Sequence, residues 1–189
     1  GRLAPLTRVK LVDGEGKEQP AGESGVLWVK NGAAGHGYHD HPAATEETFL
    51  EDDWVNTNDL FRQDEDGYFW YMGRSDDLIK VSGIYVAPLE IEKCLEAHPS
   101  VSASAVMGVE DADGLAKTKA FIVLAGGADP TQEMAQELSA FCRQHMAGYK
   151  APRTIEFLDE LPATGQGKVD RRRLKEADGK RTSHAITSV

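Results

Sequence analysis

Two hydrophobic rhythms divide the chain. Up to about residue 73 the apolar residues come in short runs, such as Val9-Lys10-Leu11-Val12 and Val26-Leu27-Trp28-Val29. These are separated by Asp13-Gly14-Glu15-Gly16 and Ala21-Gly22-Glu23-Ser24-Gly25. Turn residues at that spacing predict hairpins or a barrel. A further turn, Asp64-Glu65-Asp66-Gly67, separates Leu60-Phe61 from Tyr68-Phe69-Trp70-Tyr71, and a short helix is expected to begin near Pro42. From about residue 77 the rhythm lengthens. Ile91, Cys94, Leu95 and His98 fall at i, i+3, i+4 and i+7, which predicts a helix over 88–98 that Pro99 stops. Met134, Leu138, Phe141 and Cys142 form the stripe of a second helix. Its start signal is Asp129-Pro130-Thr131-Gln132, with Asp129 as N-cap and Pro130 in the first helical position. Strands are expected over 101–109, 119–125 and 154–158, and a short basic helix over 171–176. Alternation of this kind predicts a compact α+β domain behind the β-rich part.

Composition narrows the class without naming a chemistry. The 189 residues suffice for one ordinary domain or two small ones. Hydrophobic residues at 40% and charged residues at 28% exclude wholesale disorder. A net charge of −10 works against nucleic acid and anionic membrane as partners. No apolar run approaches the ~20 residues that span a bilayer, and Gly1-Arg2-Leu3-Ala4-Pro5 carries neither an initiator Met nor a signal-peptide core. A soluble, cytoplasmic protein is therefore expected, and the absent Met suggests a fragment or processed chain, although cloning alone would also explain it. Cys94 and Cys142 read as two buried free thiols, too few for a disulfide framework.

Three stretches carry candidate chemistry. Asp59, in Trp54-Val55-Asn56-Thr57-Asn58-Asp59, can accept hydrogen bonds from a vicinal diol or simply cap a turn. Arg74 opens Gly73-Arg74-Ser75-Asp76-Asp77-Leu78-Ile79-Lys80-Val81-Ser82-Gly83, where a surface ion pair is the plain reading. Lys168 lies in Leu161-Pro162-Ala163-Thr164-Gly165-Gln166-Gly167-Lys168. Glycines there let backbone approach a ligand and the lysine is a point charge suited to an anion, or the loop is merely solvated. Two other clusters invite sharper readings. His36, His39 and His41 lack the further converging ligands of a metal site. Arg171-Arg172-Arg173 can meet phosphates or form a solvated helix face.

The ordered set of three stretches resembles the adenylate-forming superfamily of acyl-CoA synthetases, luciferases and peptide-synthetase adenylation domains. The wording of 73–88, with Gly114-Leu115-Ala116-Lys117-Thr118-Lys119-Ala120-Phe121, is similar to benzoate-type CoA ligases. The resemblance implies a β-rich, barrel-like subdomain over 1–74 that ends a large N-terminal domain. It implies a hinge at 75–77 and, over 78–189, a small α+β lid with a mixed sheet flanked by helices. In that frame Asp59 binds the ribose of ATP or AMP, with Arg74 in support, and Asp76 is the hinge. Lys168 is the catalytic lysine, and Gly83 leaves room for the pantetheine arm of coenzyme A. Mg2+ accompanies ATP, and a carboxylic acid, aromatic by preference, is the other substrate.

Asn58 departs from the family pattern, which has Gly before the ribose-binding Asp, although Asn tolerates positive φ. A Ser/Thr/Gly-rich phosphate loop is missing, and the acid and adenine pockets would lie upstream of residue 1. The implied protein is the C-terminal portion of an acyl- or aryl-CoA ligase, inactive without the rest of the N-terminal domain. The alternatives are an adenylation domain that loads a carrier protein and a non-catalytic module that keeps the lid fold.

Overall fold

A computed structural model of the chain describes residues 1–111 and 114–180. It divides into two compact units, the first being Gly1–Asp76 and the second beginning at Asp77.

The first unit is a four-stranded antiparallel sheet in sequential order: β1 (Arg8–Val12), β2 (Ser24–Lys30), β3 (Val55–Gln63) and β4 (Phe69–Arg74). Between β2 and β3 lie the helix α1 (Pro42–Thr48), with its proline in the first turn, and a 3-10 turn at Glu51–Asp53. Gly25 is required where β2 meets β1, because a Cβ there would stand 2.7 Å from the Val12 amide. The barrel-like closure expected over 1–74 is corrected here. Among the described residues β1 and β4 are edges, and four strands are too few to close around a packed interior. Burial agrees, for the large apolar side chains buried in this unit are Leu11 and Val12. Trp70 is 54% and Tyr71 42% exposed, so much of the aromatic run on β4 lies at the surface of this unit.

The second unit opens with a hairpin, β5 (Ile79–Val81) and β6 (Ile84–Val86), which the hydrophobic pattern did not foretell. Then come α2 (Pro88–Glu96), β7 (Val101–Glu110), β8 (Ala116–Leu124), α3 (Gln132–His145), β9 (Thr154–Phe157) and α4 (Arg171–Lys180). β7 and β8 pair antiparallel and β8 and β9 pair parallel, giving the mixed sheet expected. Alternation along the strands sorts the core into two layers. Val106, Ala120, Ile122 and Ile155 pack with Ile91 and Leu95 of α2 and with Leu138 of α3. Ala105 and Phe121 point to the opposite face and pack with Leu174 of α4. Helices therefore cover both faces of a three-stranded sheet.

The helix start needs one correction. Thr131, not Asp129, is the N-cap of α3, and its hydroxyl accepts from the Met134 amide at 3.1 Å. The Asp129 carbonyl instead accepts from the Thr131 amide at 2.9 Å, closing a turn before the helix begins. Both cysteines are free; Cys142 is buried but Cys94 only partly so. Burial, aided by the neighbouring Cys94, pushes the Cys142 thiol up to about 12. Lys119 is almost wholly buried between Glu156, at 2.8 Å, and Asp178 of α4. Burial opposes its charge, but hydrogen bonds to Asp178 and Glu156 outweigh that and raise its pKa. No helix among the described residues is long and apolar enough to cross a membrane.

Leu174 is 1% exposed and is the apolar anchor of α4. Leu174→Ala should cost about 2–5 kcal/mol, the usual range for emptying a buried leucine site. Urea unfolding of the chain should show a lowered midpoint; an unchanged midpoint would mean that α4 is not docked as described.

Candidate functional site

The first group of candidate residues is assembled by the β3–β4 register. Asp59 stands opposite Arg74, and the Arg74 guanidinium reaches the Asp59 carboxylate at 3.4 Å. The same guanidinium donates from Nε and Nη2 to Asp76 at 3.1 and 3.3 Å, and from Nη1 to the Thr57 carbonyl at 3.0 Å. Its hydrogen bond to Asp76 is the largest influence holding the arginine's pKa above its ordinary value; partial burial works the other way. Arg74 is thus a clip that joins Asp59, Asp76 and the β3 backbone. The Asp59 pairing is long and its carboxylate is about one-third exposed, which leaves acceptor capacity for a ligand's hydroxyls.

The turn ahead of Asp59 explains the departure from glycine. Asn58 has φ +55°, in the left-handed region that Asn tolerates best after Gly. Its amide donates to the Asn56 side chain at 2.9 Å, and its carbonyl accepts from the Ser75 amide at 2.8 Å. Backbone before Asp59 and after Arg74 is thereby stitched together.

Lys168 and Gly83 lie on the second unit. Lys168 ends a tight turn rather than a slack loop. The Gly167 amide donates to the Thr164 carbonyl at 2.9 Å, the Thr164 amide to the Lys168 carbonyl at 2.7 Å, and the Asp170 amide to the Pro162 carbonyl at 2.7 Å. Gly167, at φ +77°, supplies the conformation that closes it. Residues 163–169 are all exposed, and the Lys168 ammonium has no carboxylate partner among the described residues. The turn presents a bare positive charge on a defined backbone. Ser82 and Gly83 turn the β5–β6 hairpin with φ +50° and +86°, the signature of a two-residue type I′ turn. A Cβ on Gly83 would meet nothing within 4 Å of this chain, so its backbone conformation, not local crowding, requires glycine.

Arg171 is a residue whose role sequence reasoning missed. Neither of the readings offered for the arginine run describes it: its guanidinium is 30% exposed and bonded inward, whereas Arg172 is 84% and Arg173 67% exposed. Only its position three residues after Lys168 hinted at this. The histidines stay apart from any such construction. His39 pairs with Asp40 at 3.2 Å in full exposure, and no three His, Cys, Asp or Glu side chains converge among the described residues.

Comparison with known proteins shows what the chain is similar to. Residues 90–168 match the family model described as the AMP-binding enzyme C-terminal domain. The chain is 42% identical over 178 residues to a benzoate–CoA ligase of Thauera aromatica, covering 94% of this chain and 34% of that one. It is 38% identical over 177 residues to an acetyl-coenzyme A synthetase of Bacillus subtilis, covering 93% and 31%. Among solved structures, an anthranilate CoA ligase in complex with anthranoyl-AMP superposes with a TM-score of 0.87 at 41% identity, covering 94% of this chain and 34% of that chain. Residues 90–168 carry the AMP-binding enzyme C-terminal domain, and nearly the whole chain is similar to the C-terminal part of adenylate-forming enzymes. It spans about a third of the length of the curated relatives it matches.

The Asn58 turn generates a stability test. Asn58→Gly should change stability by no more than a few tenths of a kcal/mol, whereas Asn58→Val should cost about 1–2 kcal/mol because a β-branched residue resists positive φ. Thermal unfolding of both variants measures this; equal stability would remove the conformational argument for Asn58.

Proposed function

We propose that the chain acts as the C-terminal part of an ATP-dependent acyl- or aryl-CoA ligase. In such an enzyme a carboxylate attacks the α-phosphorus of ATP and pyrophosphate leaves; the thiol of coenzyme A then attacks the acyl carbon and AMP leaves. The observation that carries this reading is Lys168, an exposed ammonium without a carboxylate partner among the described residues, set at the end of a hydrogen-bonded turn. The first step brings two anions together, so a positioned cation contributes most by neutralising charge where they meet. Lys168 is the group we assign to that work.

The other residues take supporting parts. Asp59 offers acceptor oxygens to the ribose hydroxyls, and Arg74 holds that carboxylate while fixing Asp76 beside it. Asp76, 63% exposed at the boundary between the two units, is the hinge about which the lid turns between half-reactions. The hairpin at Ser82-Gly83 serves the second step, its bare turn leaving space for the pantetheine arm. Mg2+ would enter with the phosphates of ATP, the usual mode for that ion; among the described residues no carboxylate cluster offers it another seat. Free coenzyme A is favoured over a carrier protein because the similar curated proteins include benzoate, acetyl and long-chain-fatty-acid ligases named for it. An aromatic acid is favoured by the benzoate- and hydroxybenzoate–CoA ligases among them, and we place the enzyme in the cytoplasm.

The test is a separation of half-reactions in the full-length enzyme. Lys168→Ala should lower adenylation, read as pyrophosphate release with a panel of aromatic and aliphatic acids, by at least ~10²–10³-fold. It should largely spare thioester formation from supplied acyl adenylate. Equal loss in both steps would refute the role given to Lys168.

A further inference from the structure

We infer that Arg171 is a positioning residue for adenylation: it sets the register of the Lys168 turn against the core of the second unit and ties it to Asp77, beside the hinge. The inference rests on the functional reading of Lys168 given above. Arg171 is the first residue of α4 and follows the turn directly. Its Nη1 donates to the Val106 carbonyl at 2.7 Å, and its Nη2 donates to Glu92 Oε1 at 2.7 Å. The side chain of Glu92 is 8% exposed, and the same Oε1 accepts from the Val106 amide at 2.7 Å. One guanidinium therefore joins the end of the lysine turn to α2 and to the middle of β7.

The third arm of the fork points to the hinge. Arg171 Nε stands 3.4 Å from Asp77 Oδ2. Asp77 is the first residue of the second unit and the neighbour of Asp76. Its carboxylate is 37% exposed, a rim position from which an ion pair can be made or released without opening the core. The buried arms hold the turn in place, and the exposed arm links it to the segment where backbone torsions change.

The chemistry needs a planar fork. Lysine cannot donate in three fixed directions, so Arg171→Lys keeps the charge beside Glu92 and loses the geometry. Arg171→Ala would leave a buried carboxylate without its cation and threaten folding, so it is not the informative variant. Asp77→Asn removes only the exposed arm and leaves the buried ones in place.

Half-reaction kinetics of the full-length enzyme test this. Arg171→Lys should lower kcat for adenylation about 10- to 100-fold, the penalty of displacing a catalytic group by around an ångström. KM for ATP and acid should stay within about threefold, and thioester formation from supplied acyl adenylate should be unchanged. Asp77→Asn should give a smaller drop, about 2- to 10-fold, in the same step. In a Lys168→Ala background neither substitution should lower adenylation further, because a residue that acts only through Lys168 has nothing left to position. Normal adenylation by both variants, equal damage to both half-reactions, or independent additive losses in the double variants would overturn the inference. A wild-type enzyme that adenylates no acid would sink the functional reading as well, which separates the two failures.

Discussion

The seating of α4 on the sheet is the constraint from which the candidate site follows. Leu174 is closed over by Ala105 and Phe121 on the face of the sheet opposite α2 and α3. Lys119 adds a buried ion pair to Asp178 farther along the same helix. With α4 fixed, Asp170 and Arg171 are fixed, and Pro162 is bonded back to Asp170 across the neck of the turn. The residues between them, 163–169, then have little freedom except to project. The result is an ammonium held in water by a rigid neck, a form in which a charge can be carried to an anion with little reordering at the moment of contact.

The first unit uses the same economy differently. Its sheet has a thin core, and the polar clip at Arg74 does much of the local ordering around Asp59. One guanidinium satisfies a backbone carbonyl and two carboxylates there, while the positive-φ turn at Asn58 brings Ser75 into register. The two arginines Arg74 and Arg171 play parallel parts. Each ties a candidate carboxylate or the turn of the candidate lysine to the residues next to the boundary at Asp76 and Asp77. In both cases the fork geometry matters, since three acceptors in different directions are met by one side chain.

Much of this was legible in the residues. Helical periodicity marked α2 and α3 because each has one face against the sheet, and the Gly- and acid-rich turns marked the strands of the first unit. The barrel was misjudged because turn spacing reports strand length but not strand number or closure. The β5–β6 hairpin escaped notice because three-residue strands are too short to show alternation, although Ser82-Gly83 was the clue. The cap of α3 was misplaced by two residues because Asp129 and Thr131 are both good caps and only the reach of the hydroxyl to Met134 decides between them. The Gly-rich loop before Lys168 was visible in the sequence, but its closure into a hydrogen-bonded turn was not. The inward bonding of Arg171 was not, because a run of three arginines looks uniformly solvated until the neighbours of each are known.

The central claim is that Lys168 meets the nucleotide during the first half-reaction. Amine labelling of the full-length enzyme, followed by mass spectrometry at Lys168, tests it without relying on turnover. Modification should be fast in the free enzyme and suppressed when ATP and the acid are bound together. It should recover when AMP and coenzyme A replace them. A labelling rate at Lys168 that is the same under all three conditions would contradict the account.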